Sequence, residues 1–225
     1  MNRSILLLFA VLLLVAPPRL TAGAQPPHNF AQWEKEIAAF EAADRTNPPP
    51  KNGVLFIGSS TIRLWKTLAQ DFPSQPVIGR GVGGCEIVDC THFADRIVFP
   101  YQPRMIFFRC GGNDLANGKS PEQVFADYQE FVAAVRTRLP EADIVFISWS
   151  PTVARWSLVD KERSLNKRVE TYSRESPHLQ YIDTYDLPLG PDGKPRKELF
   201  IQDGLHFNAE GYKLLTARVR PFLLK

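Results

Sequence analysis

The chain is expected to fold as an α/β protein, a three-layer α/β/α sandwich around a five-stranded parallel sheet. Two observations carry that expectation. From residue 30 onward, short and almost wholly apolar runs alternate with stretches of helical period, and strands that are apolar throughout belong to sheets covered on both faces. Each run is followed by a turn and, in most cases, by a helical stretch, the order in which parallel strands are built.

The elements follow in order. Phe30, Trp33, Ile37 and Phe40 share one helical face, and the turn-rich TNPPPKNG at 46–53 stops that helix. The strand runs are expected at 54–58, 76–79, 104–110, 143–148 and 179–184. The best-marked helix begins at SPEQ, 120–123, where Ser120 suits the N-cap, Pro121 the first helical position and Gln123 a capping box. Its inner face reads Val124, Tyr128, Phe131, Val132 and Val135, and a last helix from near Asn208 carries Leu214, Leu215 and Val219 inward. One domain over 25–225 accounts for all of this, with no internal repeat and no low-complexity tract.

Residues 1–24 read as a signal peptide rather than as part of the fold. Arg3 supplies the positive start, Ile5 to Ala16 is a run of twelve apolar residues, and Ala22-Gly23-Ala24 has the small-x-small form of a cleavage site. Twelve residues are too few for a bilayer span, which takes about 20. The protein is therefore expected to be exported, periplasmic or secreted, with no stable membrane span after cleavage.

Removing Arg3 and Arg19 leaves 25 basic against 24 acidic residues, a net charge near +1. A surface so close to neutral argues against a nucleic-acid partner, which needs clustered cations for phosphates. Three cysteines, Cys85, Cys90 and Cys110, cannot all pair within one chain. One disulfide with a free thiol and three buried thiols both remain open.

Three patterns suggest cofactors and fail. GRGVGG at 79–84 matches the dinucleotide fingerprint, but no acid stands between Asp95 and Asp114, where the ribose partner would be expected. In GNDLANGKS, Gly112 and Gly118 enclose five residues where a phosphate-binding loop has four. His28, His92, His178 and His206 show no H-x-H or H-E-x-x-H spacing, and no Cys-x-x-Cys occurs. No cofactor and no metal are expected.

What remains is a set of polar residues and glycines placed after successive strands, where open parallel sheets bind their ligands. Ser59 and Ser60 follow the first strand, Gly83-Gly84 the second, Asn113 the third, and Asp203 with His206 stand between the fifth strand and the last helix. Serine attack on an ester needs a base, a carboxylate to orient it and donors for the oxyanion. Every one of those groups is available. Singly, each also has a bland role: a helix cap for the serines, tight turns for Gly84 and Asn113, a surface pair for Asp203 and His206.

The four blocks resemble the SGNH hydrolases, the GDSL esterase/lipase superfamily, and within it the branch of platelet-activating-factor acetylhydrolase-like bacterial esterases. They read GSST at 58–61, GRGVGGCE at 79–86, GGND at 111–114 and DGLH at 203–206. The likeness runs over nearly all of residues 30–222. It implies a flavodoxin-like fold, Ser60 as nucleophile, His206 as general base oriented by Asp203, and an oxyanion hole from Gly84, Asn113 and the backbone N–H of Ser60. Ser59 stands where the family name has Asp, and Gly79 where Asn often precedes the second block.

The chemistry so implied is acyl transfer to Ser60 and hydrolysis of the acyl-enzyme, weakening in acid because a histidine base must be neutral. No long apolar lid is evident, so short, acetyl-like acyl groups are expected. Arg155 and Trp156, after the fourth strand, together with Ser59, are expected at the substrate rim, where a cation and an aromatic face suit an O-acetylated carbohydrate or another small ester. A non-catalytic binding module on the same fold, and a thioesterase or lysophospholipase-type hydrolase, are the alternatives.

Overall fold

A computed structural model of the chain describes residues 28–223, so the expected signal peptide at 1–24 lies outside the described residues. Among those described, no helix is long and apolar enough to cross a membrane.

Five strands form one parallel sheet: β1 (Val54–Gly58), β2 (Val77–Gly81), β3 (Met105–Arg109), β4 (Asp143–Ile147) and β5 (Leu179–Ile182), in the order β2-β1-β3-β4-β5. In chain order the helices are α1 (Glu34–Thr46), α2 (Ser60–Leu64), α3 (Leu68–Asp71), α4 (Ile87–His92), α5 (Ala94–Ile97), α6 (Gly112–Ala116), α7 (Pro121–Arg138), α8 (Val159–Glu175) and α9 (Ala209–Leu223). A short 3₁₀ turn, Phe30–Trp33, leads into α1, and the expected face of Phe30, Trp33, Ile37 and Phe40 is the one that packs on the core.

Strand alternation divides the core in two. Leu55, Ile57, Ile106, Phe108, Ile144 and Phe146 point to one face, where Ile37, Phe131, Val135, Leu165 and Val169 of α1, α7 and α8 cover them. The intervening Val54, Phe56, Met105, Phe107, Val145 and Ile147 meet Ile62, Trp65, Tyr212, Leu215 and Val219 of α2 and α9 on the other. With both faces dry, every strand position gains from an apolar residue, and this explains runs such as VLFI and MIFF. Helix α7 is capped as its sequence requires: Ser120 Oγ accepts the Gln123 N–H at 3.2 Å, and Gln123 Oε1 accepts the Ser120 N–H at 2.8 Å.

Strand β2 differs from expectation. It runs two residues further, to Gly81, so Gly79, Arg80 and Gly81 are strand residues and only Gly83 and Gly84 form the turn. A glycine-rich stretch reads as a loop because glycine is a poor strand former. Here the partner β1 ends in register, with Gly58 opposite Gly81, and pairing overrides propensity.

Two of the buried carboxyls, Asp114 and Glu162, are pushed well above their ordinary values. Asp114 is fully enclosed, and desolvation together with the neighbouring Cys110 pushes it up to about 8 against the pull of Lys119. Glu162 of α8 is raised to about 7 by burial, with Arg109 and Arg155 opposing. Each folded-state value lies above the ordinary range near 4. Their stabilising contribution is thus complete below about pH 4 and is lost as pH rises toward 7–8. Urea unfolding is expected to show a lower midpoint at pH 8.5 than at pH 5, and Asp114→Asn, already uncharged, is expected to flatten that slope. An unchanged slope in the variant would place the pH dependence elsewhere.

Candidate active site

A sheet ordered 2-1-3-4-5 reverses its winding between β1 and β3, and the crevice at the carboxyl ends of those strands is where such folds take ligands. Strand β1 ends at Gly58, with φ +151°, and the chain turns at once into α2. Ser59 occupies the N-cap position but makes no side-chain cap hydrogen bond; its carbonyl accepts the N–H groups of Ile62 and Arg63. Ser60 is the first helical residue, and its hydroxyl is left free to face His206.

His206 Nε2 lies 2.8 Å from Ser60 Oγ, and His206 Nδ1 lies 2.6 Å from Asp203 Oδ2. Partial desolvation works to raise the Asp203 carboxyl, but the His206 ring, the His206 N–H at 2.9 Å and the Leu205 N–H at 2.8 Å outweigh it and hold the group at about 2. An ionised carboxylate only accepts. The ring proton therefore sits on Nδ1, and Nε2 presents its lone pair to the serine hydroxyl. A hydroxyl, an imidazole and a carboxylate in that order form a path by which the hydroxyl proton can leave.

Asp203 and His206 are carried by a tight loop. Gly204 takes φ +63°, its N–H donates to Ile201 O, and the Ile201 N–H donates to His206 O. Phe200 and Phe207 pair as an antiparallel bridge at the loop's neck. The Ala154 N–H reaches Gly204 O at 3.0 Å and ties the loop to the segment after β4.

The oxyanion-hole residues named from the sequence gather at the ends of β2 and β3. Gly84 turns the chain with φ +94°, which glycine adopts without strain. Asn113 sits in α6, not in an isolated Asx turn. Its Nδ2 donates to Cys85 O at 2.9 Å while its Oδ1 accepts from Arg155 Nη2 at 3.0 Å. These two bonds fix which end of the amide is nitrogen and leave the second N–H of Nδ2 available. Helix α2 has only five residues, so the contribution of its dipole at Ser60 is small, and the directional backbone donor matters more.

A cavity of about 30 Å³ opens here, lined by Ser59, Ser60, Asn113, Trp149, Arg155 and His206 among others. Arg155 reaches it, but not as a free rim cation: Nη1 donates to Gly112 O at 3.1 Å and Nη2 holds Asn113. Trp156 does not line the cavity; it begins a 3₁₀ turn, and Lys194 Nζ lies 4.1 Å from its ring centroid. One cavity-lining residue, Arg109, was not singled out from the sequence. It is buried at the end of β3, stacked 4.9 Å over Trp149 and bonded to Thr184 Oγ1 and Ser148 O. Desolvation draws it down to about 10, still charged at neutral pH. Its signal in the sequence is an arginine closing an otherwise apolar strand, one residue ahead of GGND.

The fold has solved counterparts. A Streptococcus pneumonia protein described as a candidate platelet activating factor superimposes with a TM-score of 0.76 at 18% identity, over 86% of this chain and 94% of its own. A GDSL-like lipase from Bacteroides thetaiotaomicron gives 0.68 at 21% identity, over 86% and 96%. A carbohydrate esterase of family 3 from Talaromyces cellulolyticus gives 0.62 at 18%, over 76% and 95%. No curated protein sequence matches the chain. The GDSL-like Lipase/Acylhydrolase family model matches residues 57–214, and the chain belongs to that family of hydrolases acting on ester bonds.

Proposed function

We propose that the protein is a serine esterase for short acyl groups, with Ser60 as nucleophile, His206 as base and then acid, and Asp203 as its orienting carboxylate. The observation that carries this reading is the unbroken chain of two short hydrogen bonds, Ser60 to His206 to Asp203. Ser60 Oγ attacks the ester carbonyl as its proton passes to His206 Nε2. The backbone N–H groups of Ser60 and Gly84 and the spare Asn113 amide proton face the developing oxyanion. The alcohol leaves with the proton from His206, and a water deprotonated by His206 then releases the acid from Ser60.

The size of the cavity supports the short acyl group: about 30 Å³ accommodates roughly two water molecules at ~10–15 Å³ each, near the bulk of an acetyl group. O-acetylated carbohydrate is the substrate class we favour, supported by the fold shared with the Talaromyces carbohydrate esterase. One face of Trp156, expected as a sugar platform, already carries Lys194.

A fluorophosphonate probe is expected to label the wild type and Ser59→Ala but not Ser60→Ala, with p-nitrophenyl acetate turned over faster than longer acyl esters or thioesters. Well-folded wild type that takes no label would identify a binding module instead. Asn113→Ala is expected to lower kcat by about 10²- to 10³-fold, the usual effect of losing one oxyanion donor. Arg155 is a positioning residue, so Arg155→Met is expected to lower kcat with little change in KM and to add little in the Asn113→Ala background. Full additivity of the two losses would rule out its action through Asn113.

Export is part of the same proposal, supported by the apolar run at 5–16 and the Ala22-Gly23-Ala24 site. N-terminal sequencing of protein recovered from outside the cytoplasm is expected to begin at Gln25; recovery of an intact Met1 form from the cytoplasm would refute it.

A further inference from the structure

Cys85, Cys90 and Cys110 belong to three different pieces of the fold: the turn after β2, helix α4 and the end of β3. The structure brings them together as three free, buried thiols. Cys85 Sγ lies 3.9 Å from Cys90 Sγ and 3.8 Å from Cys110 Sγ, and all three sulfurs lie within 4.8 Å of one another. A point equidistant from sulfurs so spaced is ~2.2–2.5 Å from each, against about 2.3 Å for a metal–thiolate bond. Sulfurs in mutual contact thus stand at ligating distance from one central point without having to rearrange.

We infer that the three cysteines form a trigonal site for one soft monovalent cation, cuprous copper. The donor set excludes hard cations, which take oxygen ligands. It also disfavours zinc, whose structural sites are almost always four-coordinate. Among the described residues no histidine or carboxylate joins the three sulfurs as a fourth metal ligand. Two carbonyls beside the cluster already accept other donors: Gly58 O takes the Val82 N–H and the Cys85 thiol, and Cys85 O takes Asn113 Nδ2 and the Cys110 thiol. Soft, three-coordinate thiolate ligation is the preference of Cu(I). Three S–H protons pass to solvent as one Cu(I) binds, so the filled site carries a net charge of −2, and neither copper nor sulfur changes oxidation state. Affinity therefore rises with pH.

The site rests on geometry separate from the serine chemistry, so it stands or falls independently of the esterase reading. Because the thiols are buried, the chain is refolded from urea without oxygen in the presence of Cu(I), desalted, and checked for native circular dichroism. Wild type is expected to retain one copper per chain with a thiolate–copper absorption band, held at least 100-fold more tightly against a Cu(I) chelator than in Cys85→Ser, Cys90→Ser or Cys110→Ser, and more tightly at pH 8 than at pH 6. The variants are matched to wild type by their melting curves, and a variant that fails to fold is replaced by its alanine counterpart. Native wild type that emerges free of copper overturns the inference. So does copper held equally well by the folded cysteine variants, or zinc retained in preference to copper.

Discussion

The arrangement depends on how closely β1 is allowed to approach β3 at Gly58. A Cβ there would stand 2.0 Å from the Arg109 carbonyl oxygen, and φ is +151°, so the position admits no side chain on two separate grounds. The same residue accepts the Val82 N–H at 2.9 Å, while the Ser59 N–H beyond it donates to Arg109 O at 3.2 Å. One glycine therefore knots together the carboxyl ends of β1, β2 and β3. Ser60, Gly84 and Asn113 leave the sheet from those three ends, and their spacing is set before any side chain contributes.

Above that knot the site is built at some expense to the core. Arg109 is buried with its Nε lacking an acceptor, Glu162 is buried with one unpartnered oxygen, and neither is in a close ion pair. At longer range Arg109 and Arg155 draw Glu162 toward ionisation, while Tyr212 and Glu162 favour the charged form of Arg109. An apolar pair in place of Arg109 and Glu162 would favour stability. It would also release Arg155 from the electrostatic frame that keeps it on Asn113. Polar residues tolerated at this one end of an otherwise dry sheet are where local rules are broken for function.

The legible and illegible parts of the sequence divide along a physical line. Strands covered on both faces must be apolar at every position, so all five were visible, and a capping box is a local arrangement that Ser120 and Gln123 announce by themselves. Asp203 and His206 were readable because the bond that matters spans three residues. The bond from Arg155 to Asn113 is not legible, since it crosses 42 positions and only the fold decides which amide the guanidinium meets. The companion of Trp156 is illegible for the same reason: Lys194 comes from a distant loop. The cysteines have no adjacent spacing to betray them, being 5 and 20 positions apart, and the turn after β2, helix α4 and the end of β3 have to meet before they form a cluster.

The loop from Phe200 to Phe207 has a consequence for how the protein would fail. It keeps His206 and Asp203 bonded to each other by contacts internal to itself, and it is joined to the rest of the molecule by the Ala154–Gly204 bond, the His206–Ser60 bond and the packing of Phe200 and Phe207 in the core beneath α9. Openings of such a unit cost less than global unfolding. The dyad can thus swing away from Ser60 as an intact piece while the sheet stays folded, so that amides of this C-terminal segment would exchange with solvent sooner than those of β1 and β3.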